Sequence, residues 1–323
     1  MYAYIIYKLG AFLAQRLSLP TARKLAAVVG RLMCLFQRRN RRHLYRNLEI
    51  AFGDQLGPRE LRRLRLKIFS NFAAFVADYL WLPKINRDNI VEFLTPESLE
   101  KYTQLRKLAE DRGPAIYLTA HLGNWELGGV AASLLETPLT VLVDAHPSPL
   151  VTRFFDARRE EKGMTVVPVT AFRKVFRAIR RKRLVAIVGD RPVTGQGILA
   201  TFFGKPALVP DGHALLARRF GASIIPGFLV MKDDGRYDLI VEDVIEPRVT
   251  NDEEADIREC VERCLAVFER YIRRYPEQWY VFRPVWDLPN QRQADRLKAR
   301  QERLRARAAE RRRREAARTA GAR

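Results

Sequence analysis

The stretch from Ala115 to Glu136 constrains the fold of this chain most strongly. It opens with an apolar run at 115–120, continues with His121 and a Gly-Asn turn, and then becomes a second run of small and apolar residues. A short continuous apolar run is typical of a buried strand in a parallel sheet, and the second run predicts a packed helix over 122–135. His121 is therefore expected at the carboxyl end of a strand, where open α/β sheets place their ligands.

The segment from residue 86 to residue 288 continues this alternation of apolar runs and helical patterns. Parallel strands need long crossovers, usually helices, and the order of the runs supplies them. We therefore predict an α/β fold with a mostly parallel central sheet flanked by helices, ending in a hairpin around residues 233–235. The predicted strands are 115–120, 139–144, 165–169, 184–189, 223–231 and 236–242, and the predicted helices are 122–135, 149–162, 171–181, 211–220 and 251–275.

Residues 1–85 are predicted to form a separate, helical, membrane-anchoring region. Residues 1–17 are apolar with interleaved tyrosines, which favour the membrane–water interface, but they are too few for a spanning helix of about 20 residues. A second apolar helix is predicted over 21–36, followed by an arginine cluster over 38–46 that suits an anionic membrane leaflet. For residues 1–17 a buried core helix remains open as the alternative, and for the arginine cluster a solvated charged loop.

The chain is strongly basic, with a formal net charge of +21. Such an excess predicts an anionic partner, which could be nucleic acid, anionic lipid or an acidic substrate carrier. The charge alone does not choose among them. The third predicted region, 289–323, is a basic tail with almost no large apolar residues, so it cannot build a core of its own.

Several kinds of site are disfavoured by what the sequence lacks. Three cysteines are typical of a reducing compartment and exclude a disulfide framework. Cys260 and Cys264 share a helix face, but no further cysteine or histidine lies near them in the sequence, so we expect no metal. The GxSxG elbow, the P-loop and the dinucleotide fingerprint are absent. Without a serine or cysteine nucleophile beside His121, direct group transfer is favoured over a covalent enzyme intermediate.

The candidate catalytic pair is His121 with Glu126, which follows in the first turns of the predicted helix. A nearby carboxylate would fix the tautomer of the imidazole and raise its basicity, so that the histidine could take a proton from a hydroxyl. Most histidines near a glutamate are structural, but of the four in this chain only His121 lies at such a junction. Asp190 and Arg191 follow another apolar run and are expected near the same sheet edge. Arg159, at a helix end, could hold a phosphate or carboxylate or simply be solvated.

The motif HLGNWE at 121–126 resembles the HX4E form of the HX4D/E motif of membrane acyltransferases. Further segments match the late lipid A (lauroyl/myristoyl) acyltransferases and the phosphatidylinositol mannoside acyltransferases of the same group, in order over residues 1–287. They are NLEIAF at 47–52, Arg159 to Gly163, GDR at 189–191, FFG at 202–204, LAR at 216–218 with Gly221-Ala222, and PEQW at 276–279. One departure is Asp190-Arg191, where the lipid A enzymes usually have Asp-Gln.

The resemblance implies an acyltransferase that moves a fatty chain from a thioester to a glycolipid hydroxyl. Acyl carrier protein or coenzyme A would be the donor and no other cofactor is implied. The acceptor would be a lipid A precursor or a phosphatidylinositol mannoside. By position, His121 would be the general base, Glu126 its orienter, and Arg159, Asp190 and Arg191 would bind substrate. The expected location is the cytoplasmic face of a bacterial inner (plasma) membrane, with anionic lipids as partners.

Two other functional classes fit parts of the sequence. A nucleic-acid-binding protein would explain the charge, but no recognised binding motif accompanies it, so no nucleic acid is expected as partner. A non-catalytic membrane scaffold would keep the fold without the chemistry. Consumption of an acyl thioester distinguishes the enzyme from both.

Overall fold

The computed structural model describes residues 2–181, 184–192 and 197–287, together with Ala299 and Glu302. Over these residues it contains ten α-helices and eight β-strands. The predicted basic tail, 289–323, lies outside the described residues except at Ala299 and Glu302. The division into regions 1–85, 86–288 and 289–323 therefore stays a prediction.

A six-stranded sheet forms the centre of the molecule, and all its strands except the last are parallel. In chain order the strands are β1 (Ala115–Thr119), β2 (Leu139–Val143), β3 (Thr165–Pro168), β4 (Leu184–Val188), β5 (Ile198–Phe202), β6 (Lys205–Val209), β7 (Ser223–Met231) and β8 (Tyr237–Val241). The sheet has the order β3-β2-β4-β1-β7-β8, with β8 antiparallel to β7. The predicted mostly parallel sheet, flanked by helices and ending in a hairpin, is confirmed.

The ten helices of the described residues lie before, between and after the strands. They are α1 (Tyr2–Arg16), α2 (Leu19–Phe36), α3 (Arg38–Phe52), α4 (Pro58–Trp81), α5 (Pro96–Asp111), α6 (Trp125–Leu134), α7 (Pro149–Glu161), α8 (Phe172–Arg180), α9 (Gly212–Phe220) and α10 (Glu253–Arg274). Side chains cap the N-termini of α2, α6 and α10. Helix α6 starts three residues later than predicted because the Asn124 side chain accepts the Leu127 backbone N–H at 3.0 Å. Helix α10 has acidic residues in its first turn and Arg273 and Arg274 in its last, which complements its dipole.

The hairpin of β5 and β6 was not predicted and stands apart from the central sheet. Its two turn residues, Phe203 and Gly204, both have positive φ, at 50° and 69°. Two-residue hairpin loops favour this geometry, but asparagine, aspartate or glycine usually supplies it. A phenylalanine at the first turn position therefore gives no recognisable turn signal in the sequence.

The first four helices pack together beside the sheet. Helix α2 approaches α4 closely at Gly30, where an added Cβ would lie 2.3 Å from the Phe69 carbonyl oxygen. The arginine cluster over 38–46 belongs to α3, so the loop alternative for it is wrong. Small residues such as Ala11, Ala14 and Ala22 are buried, whereas large apolar side chains of α1 and α2 are exposed. No helix in the described part of the chain is both long enough and apolar enough to span a bilayer.

Alternate residues of the central strands face two separate cores, as the period of two requires. In β1, Ile116 and Leu118 pack into a core shared with α10. Ala115 and Tyr117 point to the other face, where they pack with residues of α5 and α6. The carboxyl ends of β1 and β4 lie side by side in the sheet, and this adjacency positions the site described next.

Candidate active site

His121 follows β1 directly, and its imidazole is bound by the carboxylate that follows β4. The Nδ1–H of His121 donates to Asp190 Oδ1 at 2.5 Å, and the indole N–H of Trp279 donates to Asp190 Oδ2 at 3.1 Å. Burial alone would raise the pKa of Asp190, but His121, Trp279 and the charge of Arg191 hold it below its ordinary value. Asp190 is therefore an ionised acceptor, and this places the proton of His121 on Nδ1.

The other ring nitrogen of His121, Nε2, carries the lone pair that can accept a proton. The Nε–H of Arg191 donates to it at 3.3 Å, which agrees with the same tautomer because a guanidinium can only donate. Burial and nearby Arg283 lower the pKa of Arg191, against the opposing effect of Asp190 and Asp144. A histidine oriented by a buried carboxylate, with the lone pair of its other nitrogen held only by a long hydrogen bond, has the arrangement of a general base.

The expectation that Glu126 orients His121 is corrected by the structure. Both carboxylate oxygens of Glu126 accept from Arg159, at 2.6 and 3.0 Å. Arg159 also donates to Asp156 at 2.9 Å, so its guanidinium holds α7 against the start of α6. The paired carboxylates raise the pKa of Arg159 although burial opposes them. Glu126 is therefore a positioning residue, and it acts on the helix rather than on the imidazole.

The assignment of Asp190 to substrate binding is also corrected. Its side chain is fully buried and both of its oxygens are engaged by His121 and Trp279. Arg191 and Arg159, by contrast, do contribute to the cavity wall described below, so substrate contact stays a prediction for both.

A buried polar cluster fixes the loop between His121 and α6. The amide of Asn124 donates to Asp78 Oδ2 at 3.1 Å and to the Tyr237 hydroxyl at 3.1 Å, while Tyr237 also donates to Asp78. Arg23 of α2 donates to Asp78 Oδ1 at 2.6 Å. Burial alone would lower the pKa of Arg23, but Asp78 and Tyr237 raise it. The cluster ties α2 and α4 to the residues that follow the candidate base.

A cavity of about 470 Å³ lies on the sheet face covered by α6, with a wall that is mostly apolar. His121 and Arg191 line it, as do the exposed residues Asp144 and Arg283. The volume falls within the range of small-molecule and cofactor sites. The imidazole of His121 thus lines an apolar cavity that has a polar, solvent-exposed end.

Some of these residues could have been found from the sequence and others could not. Asp190 had a signal, since an acid directly after a buried strand lies at the same sheet edge as His121. Trp279 belongs to the segment PEQW, but it had no signal as a partner of Asp190 because it only follows a 3₁₀ turn. Asp78 had none because it lies inside the apolar helix α4. Their contacts with Asp190 and Asn124 span 89 and 46 residues.

Comparison with known proteins identifies the family. A sequence model of the bacterial lipid A biosynthesis acyltransferases matches residues 1–287. The chain belongs to this family. A phosphatidylinositol mannoside acyltransferase of Mycolicibacterium smegmatis is 25% identical over 261 residues, 78% of this chain and 82% of the relative. A phosphatidylinositol mannoside acyltransferase of Mycobacterium tuberculosis is 28% identical over 188 residues, 56% of this chain and 57% of the relative.

Membership of the lipid A acyltransferase family makes this chain an acyltransferase, as the HX4E segment predicted. The matched region ends at residue 287 and so includes every element of the site, from Arg23 in α2 to Arg283 at the end of the cavity.

Proposed function

We propose that this acyltransferase moves a fatty acyl chain from a thioester to a hydroxyl of a glycolipid. The observation that carries the proposal is the His121–Asp190 pair at the wall of a long apolar cavity. The pair supplies a base for the hydroxyl, and the apolar wall suits the hydrocarbon of the donor. Among the described residues that line the cavity there is no serine or cysteine to carry the acyl group, so the chain passes directly from donor to acceptor.

The reaction begins when the acceptor hydroxyl replaces Arg191 as the hydrogen-bond donor to His121 Nε2. The hydroxyl oxygen attacks the thioester carbonyl carbon, a C–O bond forms, and the hydroxyl proton passes to Nε2. Asp190 stabilises the resulting imidazolium through the bond to Nδ1. The tetrahedral intermediate then collapses, the C–S bond breaks, and His121 returns the proton to the leaving thiolate. General base assistance of this kind is worth about 10²–10⁴-fold in rate.

The guanidinium of Arg191 is well placed to stabilise the oxyanion of the tetrahedral intermediate. It lies within hydrogen-bond distance of Nε2, the atom that the attacking hydroxyl must approach. Once the hydroxyl takes that position, the guanidinium stays within reach of the reacting carbonyl. A well-aimed donor contributes about 3–4 kcal/mol to such an intermediate.

Two features support a glycolipid acceptor, such as a lipid A precursor or a phosphatidylinositol mannoside. The family model is that of lipid A biosynthesis, and the two relatives act on phosphatidylinositol mannosides by name. The donor would be either acyl carrier protein or coenzyme A, both of which present the same thioester to His121.

We also propose that α1 and α2 lie on an anionic membrane surface at the cytoplasmic face of the inner membrane. Their exposed large side chains form what we call the interfacial face, next to the arginine-rich start of α3. Tyr7 of α1 lines the cavity, so a lipid substrate at this face would be close to the site. The interfacial face comprises Ile5, Ile6, Leu9, Phe12, Leu13, Leu25, Val28, Val29, Leu32, Leu35 and Phe36.

Binding to vesicles tests the membrane proposal. Glutamate at Ile6 and at Leu32, which are 68% and 51% exposed, should reduce binding to vesicles of phosphatidylglycerol and phosphatidylcholine. The matched control is Val249→Glu, because Val249 is 64% exposed and lies outside α1 and α2. Equal binding of all three variants would contradict a membrane role for the interfacial face.

Transfer assays with purified protein test the catalytic proposal. His121→Ala should lower turnover by about 10²–10⁴-fold with acyl-coenzyme A and acyl carrier protein donors alike, while the fold is kept. His43→Ala is the matched control, since His43 lies on α3 and does not line the cavity. Mass spectrometry of the lipid product identifies the acceptor. Unchanged turnover in His121→Ala would refute the mechanism, and the absence of thioester consumption by wild-type protein would favour the scaffold.

A further inference from the structure

The cavity runs along the strands instead of opening only at their ends. Its wall includes Leu139 and Leu184, the first residues of β2 and β4, as well as Val143 and Val188, the last ones. The first and last Cα atoms of a five-residue strand lie about 13 Å apart. A chain bound by its thioester near His121 therefore reaches from the carboxyl edge of the sheet to the opposite edge.

The cavity is open at the end near His121 and closed at the other. Asp144 and Arg283 at the first end are exposed, whereas Leu139 and Leu184 at the second are buried. The partly exposed residues of β2 and β4 are the last three of each strand, so both strands become more accessible towards the carboxyl edge. The inner end is therefore where the tip of a bound chain must stop.

Two adjacent glycines lie in the interior of α6, where each costs roughly 1 kcal/mol of helix stability relative to alanine. Gly128 and Gly129 both line the cavity, and both are only partly buried although Leu127 and Val130 on either side are fully buried. Their exposed surface is thus cavity surface. Two glycines that lower the stability of α6 at this place indicate that the cavity needs the space that side chains would fill.

The two glycines differ in what a methyl group would meet. A Cβ on Gly128 would have its nearest neighbour, Leu229 Cβ, at 3.5 Å, an ordinary contact. A Cβ on Gly129 would lie 2.9 Å from Met164 Sδ and 3.4 Å from a methyl of Leu139. The sulfur would have to move, and because Met164 itself lines the cavity, the adjacent open space is the cavity.

We propose that Gly129 and Met164 together set the longest acyl chain that this enzyme accepts. Met164 immediately precedes β3. Leu139 pairs with Leu184 at the start of β4 and lies at the same inner end of the cavity. The flexible thioether of Met164 forms the movable part of the inner wall. Because Gly129 has no side chain, the thioether has room to pack against the backbone of α6. The inference rests on the proposed acyl transfer and adds a determinant of donor specificity to it.

Competition among saturated donors from decanoyl to stearoyl thioester tests the proposal, with kcat/KM measured for each chain. Gly129→Ala pushes Met164 into the cavity and should disfavour the longest chain that wild type accepts by about tenfold or more relative to the shortest. Met164→Ala should shift the ranking towards longer chains. The double variant Gly129→Ala/Met164→Ala should return towards the wild-type ranking, because the truncated side chain no longer meets the new methyl group.

Gly212→Ala is the matched control. It adds the same methyl group in α9, where no atom lies within 4 Å of the new Cβ, and because Gly212 does not line the cavity the chain-length ranking should stay as in wild type. Circular dichroism and thermal unfolding confirm that each variant is folded. Since alanine is the better helix former, Gly129→Ala has no helical reason to unfold.

The outcomes separate this inference from the proposed function. Unchanged rankings in Gly129→Ala and Met164→Ala, with transfer still dependent on His121, would overturn the chain-length assignment and leave the acyl transfer intact. Equal shifts in Gly212→Ala and Gly129→Ala would also overturn it, because the contact with Met164 would then be irrelevant. Absence of transfer by wild-type protein with every donor would overturn both.

Discussion

Replacing Asp190 by asparagine tests the orienting role of this carboxylate with almost no change of shape. The aspartate accepts two hydrogen bonds from two different donors, one from His121 Nδ1–H and one from the Trp279 indole N–H. An asparagine has only one carbonyl oxygen, and its amide nitrogen donates. The variant can therefore satisfy only one of the two donors at a time.

The geometry decides which donor is satisfied. If the amide oxygen faces Trp279, the amide N–H faces His121 Nδ1, and the imidazole must carry its proton on Nε2 instead. Both hydrogen bonds of the carboxamide are then made, but the base has lost its lone pair and the Arg191 N–H has lost a long hydrogen bond. If the oxygen faces His121, the amide N–H and the Trp279 N–H oppose each other and both stay unsatisfied in a fully buried place.

The magnitude follows from the cost of those two unsatisfied donors. At about 1–3 kcal/mol each, the inactive arrangement is favoured by about 2–6 kcal/mol. That difference leaves the active tautomer depleted by roughly 30-fold to 10⁴-fold, since about 1.4 kcal/mol is tenfold. We expect kcat for acyl transfer to fall by this factor. KM for the donor should change little, because Asp190 does not line the cavity.

A second substitution distinguishes tautomer control from general damage. Trp279→Phe removes the competing N–H, so the asparagine oxygen becomes free to accept from His121 Nδ1–H. The double variant Asp190→Asn/Trp279→Phe should therefore be more active than Asp190→Asn alone, although the smaller ring costs stability. The assay is steady-state transfer with thermal unfolding of each variant as the check on folding. Near wild-type kcat in Asp190→Asn, or no recovery in a folded double variant, would show that Asp190 does not control the tautomer of His121.

Three further predictions concern buried charges. His213 has no hydrogen-bond partner among the described residues, and burial lowers its pKa from 6.5 to about 4. As the pH falls the unfolded chain binds the proton first, so the free energy of unfolding should fall by about 3 kcal/mol from pH 7 to below pH 4. Urea unfolding of His213→Leu should lack this part of the decline. Glu126→Leu should cost about 1–3 kcal/mol because Arg159 loses two hydrogen bonds and keeps only Asp156, and Glu126→Leu/Arg159→Met should recover most of it, which a double-mutant cycle measures. Asp78→Asn should lower kcat more than it raises KM, because Asp78 positions the loop between His121 and α6 through Asn124. The variant Asp78→Leu/Arg23→Met should stay folded, since it removes both charges together. An effect on KM alone would argue against a role of Asp78 in positioning this loop.

Local patterns were sufficient for much of the fold. The strand, turn and helix from Ala115 onwards were predicted because a buried parallel strand is apolar throughout and helix boundaries have their own chemistry. The cap by Asn124 and the αL glycine after α9, Gly221, are of this local kind. The β5–β6 hairpin escaped prediction because its turn begins at Phe203, a residue that rarely adopts positive φ.

The residues of the site could be predicted better than the hydrogen bonds between them. His121, Arg191 and the edge where they meet follow from strand ends, which the sequence shows. The partner of the imidazole does not follow, because Glu126 is close in sequence and Asp190 is 69 residues away. Nearness along the chain suggested the wrong carboxylate.

The residue pattern is sufficient to put a histidine at the carboxyl edge of a parallel sheet, with acids and arginines in reach. The pattern does not reveal that β4 lies beside β1, so that Asp190 meets His121, or that α7 lies beside α6, so that Arg159 holds Glu126. Local propensities act over a few residues, whereas strand order and helix packing come from burying the whole apolar surface at once. Side chains far apart in the chain acquire their partners from that global packing.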